Sequence, residues 1–129
     1  ATPGAGCFDL VAATGPRPHP GDDRALQYGT GLAFEIPPGF VMLVFSRSGH
    51  GFNRGIRLSN CVGVIDSDYR GEVAVSLRKD GNPDILPMPW AGERVAQAMI
   101  LPIPAVQLVE ADELSDTERG TGGLGSTGA

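Results

Sequence analysis

Three stretches of the chain gather residue types that can do chemistry. The first is "GVIDSDYRGEV", Gly63 to Val73, where Asp66, Ser67, Asp68 and Tyr69 lie between apolar Val64-Ile65 and Val73. The flanks predict a hairpin, but a hairpin tip usually needs little more than Asn-Gly or Asp-Gly. A carboxylate at a pocket rim can orient and deprotonate an attacking water. A tyrosine three residues on can lay its ring against a ring-shaped ligand. Aspartates in turns also bond their own backbone, and that plainer role for Asp66 stays open.

The second stretch is "SRSGHG", Ser46 to Gly51. An arginine, a hydroxyl and a glycine ahead of a helical turn make an anion site, or simply a strand-to-helix turn capped by Ser48. His50 reads as a surface histidine. The third is "RGTGGLGSTG", Arg119 to Gly128, whose glycines expose backbone donors beside Arg119, Ser126 and Thr127. It reads as a phosphate cradle or as a floppy terminus. Two lone polar residues also need partners. Asp9 lies in apolar "GCFDLVAA", and Gln97 lies among Val95, Ala98 and Met99. A buried carboxylate must be satisfied, by a metal-bound water or a backbone N–H.

The elements that would position these residues are strands. "GLAFEI" alternates through Leu32, Phe34 and Ile36, "FVMLVFS" reads as a strand buried on both sides, and "GEVAVSL" alternates through Val73, Val75 and Leu77. "ERVAQAMILPI" and "AVQLVEA" complete the set, with Pro102 and Pro104 marking a strand switch or an edge. The single helical turn expected is near "SGHGFN". This predicts an all-β sandwich or barrel. Residues 1–114 form the domain, and 115–129, with five glycines, read as a flexible C-terminal arm.

A chain of 129 residues is one domain. Its 19 glycines and 11 prolines, beside 41% apolar residues, suit a turn-rich β-domain better than disorder. A net charge of −5 argues against nucleic acid as a partner, because phosphate backbones attract basic faces. The longest apolar run, Phe40 to Phe45, is far short of the ~20 residues of a membrane span. No leader pattern is evident, Cys7 and Cys61 read as reduced, and the expected location is the cytoplasm of a bacterial or virus-infected cell.

Taken together and in order, "GCFDLVAA", "SRSG", "NCVGVIDSDYRGEV", "GERVAQAMI" and "RGTGGLGSTG" resemble the five motifs of the trimeric dUTPase family, from Gly6 to Gly128. The resemblance implies a jelly-roll or β-barrel-like subunit in a homotrimer with an exchanged C-terminal arm, each active site being built from three chains. It implies hydrolysis of dUTP to dUMP and pyrophosphate with Mg²⁺, which limits uracil in DNA and supplies dUMP for thymidylate synthesis. Asp66 would activate the water, and Tyr69 would pack under the deoxyribose. Asn60 and the backbone of Val64, Ile65 and Ala74 would read uracil. Arg47, Ser48 and Gly49 would hold phosphates, Asp9 would bond a water on the metal, and Gln97 would position nucleotide or water. Arg119, Gly123, Leu124, Gly125 and Ser126 would close over the substrate.

The chain departs from the family pattern in places. Leu124 stands where an aromatic commonly stacks on uracil, and Ser46 stands where proline commonly precedes the arginine, which should loosen that turn. Cys7 and Phe8 fill the first motif where small and aromatic residues are common. A dCTP deaminase relative would need a glutamate where this chain has Ser76. A dUTPase-like protein with an added regulatory, protein-binding role is the other alternative.

Overall fold

A computed structural model describes residues 2–80 and 87–123. Among them run β1 (Phe8–Val11), β2 (Thr14–His19), β3 (Asp22–Gly29), β4 (Phe40–Phe45), α1 (Ser48–Arg54), β5 (Ile56–Leu58), β6 (Val62–Ile65), β7 (Ala74–Lys79) and β8 (Arg94–Pro102). They form two four-stranded sheets, ordered β1-β8-β4-β6 and β2-β3-β7-β5, with every pairing antiparallel. The expected all-β, jelly-roll-like architecture with one short helix is what the structure has.

Alternation builds the core. Val73, Val75 and Leu77 turn inward from the second sheet, and Leu10, Met42, Val44, Val95, Ala96 and Ala98 come from the first. Burying one such face per strand is what sets the two-residue period. β4 follows this rule too: Met42 and Val44 are fully buried, while Val41, Leu43 and Phe45 are only half-covered, so the strand is not buried on both sides.

Several expectations are corrected. "GLAFEI" is not a strand. Gly31 has a left-handed φ of 69°, Pro37 follows the segment, and its tie to the second sheet is the Val73 N–H donated to the Leu32 carbonyl at 2.8 Å. "AVQLVEA" forms no strand either: Val106, Leu108 and Val109 are exposed on the isolated chain. The α1 cap is Arg47 rather than Ser48, with extended backbone and no side-chain cap bond, and Gly55 closes the helix in the left-handed region. Leu124, Gly125 and Ser126 lie outside the described residues.

Candidate active site

The first chemistry-bearing stretch is a hairpin. β6 ends at Ile65, the chain turns through Asp66 to Val73, and β7 returns. The turn is held by the Tyr69 N–H donating to the Asp66 carbonyl at 3.2 Å, and by Arg70 Nη1 donating to the Ser67 carbonyl at 2.7 Å. Asp66, Tyr69, Val64, Ile65 and Ala74 border one cleft of about 250 Å³. A recess of about 130 Å³ shares that wall and adds Asn60, Gly63 and Ser76. Asp66 and Tyr69 are both exposed on the isolated chain, and the Tyr69 hydroxyl donates to the Glu72 carbonyl at 3.0 Å. Six residues picked from sequence therefore converge here: Asn60, Val64, Ile65, Asp66, Tyr69 and Ala74. Ser76 faces Ser59, their hydroxyls 3.0 Å apart, so a hydroxyl pair stands where a deaminase would need an acid.

A second cluster forms where β1, β8 and the end of β4 meet. Register places Asp9 opposite Gln97, and Phe45 opposite Gln97 on its other side. Asp9 is not buried in an apolar segment; it points outward from β1, about a third exposed. Arg47 Nε donates to Asp9 Oδ1 at 3.0 Å, and Arg94 Nη1 donates to Oδ2 at 3.3 Å. Partial burial pushes the Asp9 carboxyl up, but the bonds and charges of Arg47 and then Arg94 outweigh it and hold it below the usual carboxylate range. Ser48 and Gly49 sit exposed at the first turn of α1, beside Arg47.

Ser46 is tied to two strands. Its hydroxyl accepts the Leu58 N–H at 2.9 Å, and its carbonyl accepts Gln97 Nε2 at 3.0 Å. The residue before Arg47 is thus cross-linked to β5 and β8, and the hydroxyl bond to Leu58 is one that a proline could not make. His50 is buried, not on the surface, and its Nδ1 has no partner. Burial drives its pKa down, and the nearby Arg54 and Arg47 add to that effect. A hollow of about 460 Å³ opens beside it, walled by Arg47, Arg54 and Arg94 with Glu93.

Arg94 and Glu72 escaped the sequence reading. Arg94 becomes visible only once the β1–β8 register sets it opposite Val11, next but one to Asp9. Arg119 curls onto its own turn, Nε donating to the Gly122 carbonyl at 2.8 Å, and the structure does not bring it to either cluster.

A sequence profile of the dUTPase family matches residues 1–128. The deoxyuridine 5'-triphosphate nucleotidohydrolase of Nautilia profundicola is 46% identical over 94% of this chain and 82% of its own length. That of Anaplasma marginale is 43% identical over 99% and 86%. In three dimensions the fold is similar to that of a Staphylococcus bacteriophage 80alpha dUTPase solved with dUPNHPP: TM-score 0.76, 23% identity, covering 100% of this chain and 89% of that one. The fold and the profile together define a β-sandwich hydrolase of nucleotide metabolism. The chain belongs to the dUTPase family.

Proposed function

We propose that this chain hydrolyses dUTP to dUMP and pyrophosphate, with Asp66 as the base. The observation carrying the reading is the single cleft bordered by a carboxylate, a phenol ring and strand backbone, at Asp66, Tyr69, Val64 and Ala74. Asp66 takes a proton from water, the water oxygen bonds to the α-phosphorus, and the bond to the α–β bridging oxygen breaks as pyrophosphate leaves. Tyr69 packs against the deoxyribose and leaves no room for a 2′-hydroxyl. Asn60 and the backbone of Val64, Ile65 and Ala74 read the uracil edge from the adjoining recess. The removal of dUTP keeps uracil out of DNA and provides dUMP for thymidylate synthesis.

The arginine cluster serves the triphosphate. Displacement at phosphorus depends mainly on positioning and on neutralising charge, which pre-oriented guanidiniums and backbone donors supply. Arg47, Ser48 and Gly49 hold phosphate oxygens, Gln97 positions nucleotide or water, and Arg119 with Gly123 to Ser126 closes over the substrate. Among the described residues no group of three His, Cys, Asp or Glu converges as a metal cage. The residues present suit a Mg²⁺ that arrives on the phosphates, since that ion keeps several of its waters and uses few protein carboxylates. Asp9 fits as a partner of such a water, because two arginine bonds leave some of its roughly four lone-pair sites free. When bound, the ion would neutralise phosphate charge.

A homotrimer is part of the same reading. On the β4–β6 ladder Ile65 faces Met42 and Val62 faces Phe45, so Asp66 and Arg47 lie beyond opposite ends. Their wide separation supports drawing the two groups from different chains. We therefore assign the hairpin, the arginine cluster and the arm of each site to three different copies, with the exposed stretch 103–114 crossing between them.

Pyrophosphate release with Mg²⁺ from dUTP, dTTP, dCTP and UTP tests the reading. The expected result is a strong preference for dUTP, abolished by Asp66→Asn. Equal turnover of all four nucleotides, or full activity in Asp66→Asn, would overturn it.

A further inference from the structure

Tyr69 is not placed by its own turn alone. Its hydroxyl donates to the backbone carbonyl of Glu72 at 3.0 Å, so the ring lies back over Gly71. A Cβ on Gly71 would sit 2.4 Å from the tyrosine oxygen and 2.6 Å from Cζ, so the ring keeps this position only while residue 71 is bare. Gly71 does not have a left-handed φ, so the reason for glycine here is space for the ring and not backbone strain.

Glu72 is itself fastened. Its Oε1 accepts the Gly31 N–H at 2.8 Å, across 41 residues of sequence. The next residue is strapped to the same segment: Thr30 Oγ1 donates to the Val73 carbonyl at 2.6 Å, and the Val73 N–H donates to the Leu32 carbonyl at 2.8 Å. A second bare position guards the contact. A Cβ on Gly29 would fall 2.6 Å from Glu72 Oε1 and push the carboxylate away from Gly31. Loop 29–32 thus clamps the returning limb of the hairpin, and the clamped carbonyl carries the tyrosine.

We propose that Glu72 is a positioning residue for Tyr69, and that through the Gly31–Glu72–Tyr69 chain it sets the enzyme's discrimination against ribonucleotides. This rests on the reading above that Tyr69 faces the sugar. Glu72 touches the loop after β3 through its side chain and the ring through its backbone, so freeing the carboxylate loosens the ring without altering Asp66 or the arginine cluster. A mobile ring admits a 2′-hydroxyl that a fixed one excludes. The loss should therefore appear as a selectivity change, with kcat for dUTP nearly kept and UTP gaining.

The test compares kcat/KM for dUTP and for UTP in the parent chain, Glu72→Ala, Glu72→Gln, Gly71→Ala and Tyr69→Ala. Losing one positioning hydrogen bond should lower the dUTP-over-UTP ratio roughly 3- to 10-fold in Glu72→Ala. Gly71→Ala should lower it at least as far, because it displaces the ring directly. Glu72→Gln keeps an acceptor for the Gly31 N–H and should hold the ratio close to the parent's. If Tyr69→Ala lowers the ratio while Glu72→Ala and Gly71→Ala leave it unchanged, the positioning role is wrong and the reading of Tyr69 stands. If Tyr69→Ala itself leaves the ratio unchanged, both are wrong. An equal fall for both nucleotides in Glu72→Ala, unrepaired by glutamine, would also overturn the inference, since general loosening of the fold predicts that result.

Discussion

Mixing two inactive chains should restore activity. Ile65 faces Met42 on the β4–β6 ladder, so Asp66 is level with Val41, six residues before Arg47. At a rise of ~3.4 Å per residue this puts them about 20 Å apart along the strand. A nucleophile must come within about 3–3.5 Å of its target, and an arginine grips a phosphate oxygen at ~2.8 Å; the proposed shared site would take these two groups from different chains. In the proposed closed ring each site would pair one chain's hairpin with another's arginine cluster. Co-expressed Asp66→Asn and Arg47→Ala chains, carrying different tags, would then form mixed trimers in which about one site in three has both groups intact. Across an unsorted equal mixture about a quarter of sites would be intact. The assay is pyrophosphate release per site after purification on both tags, beside each variant alone, which should be inactive. Mixed oligomers that remain as dead as their parents would refute the shared site.

Ser46→Ala removes the acceptor of the buried Leu58 N–H and should cost about 1–3 kcal/mol, read as a lower melting temperature. Leu124→Phe should lower KM for dUTP, since base–aromatic stacking is worth roughly 1–3 kcal/mol; an unchanged KM and kcat would contradict it. His50 has a folded-state pKa depressed by burial, then by Arg54 and Arg47, so the unfolded chain takes up a proton first. Its contribution to stability is complete above the ordinary histidine value of ~6.5 and declines as pH drops below it. His50→Leu should therefore shrink the fall in melting temperature between pH 7 and pH 5; equal falls would refute that. Asp9→Asn should raise KM more than it lowers kcat, although it adds positive charge to the site, and an improved KM would reverse this expectation.

What could be read from the sequence follows from what sets a pattern. Val73, Val75 and Leu77 alternate because one face of β7 is buried, and the hairpin residues from Asn60 to Ala74 stand near one another along the chain. The β2–β3 hairpin was not legible. Pro16 and Pro18 sit on an edge strand, where a missing N–H is tolerated, and Asp22, Asp23 and Arg24 mask the buried Ala25 and Tyr28. Leu32, Phe34 and Ile36 alternate like a strand, and Ile36 is buried in the core, yet the segment pairs with no strand among the described residues and its backbone tie is the Leu32–Val73 bond. The Asp9–Arg47–Arg94 cluster and the Gly31–Glu72 clamp depend on register between distant segments, which no local spacing encodes.

Under the proposed function, that cluster is where a chain of net charge −5 would receive a polyanion. An acid between two arginines looks like wasted charge, because Asp9 offsets one of the two guanidiniums. The balance turns on exposure. Asp9 is about a third exposed and Arg94 more so, and at such sites the Coulomb value of one charge is commonly only about 0–1 kcal/mol. A free arginine carries about 2 kcal/mol of rotamer entropy, part of which is lost on gripping a phosphate. A carboxylate that already fixes two guanidiniums takes that loss during folding, leaving less to lose when the nucleotide arrives. It must remain ionised to do so, which is what the two arginines secure by holding its pKa low. In the proposed anion site the acid would give up some attraction to gain orientation, and orientation is what in-line displacement at phosphorus most requires.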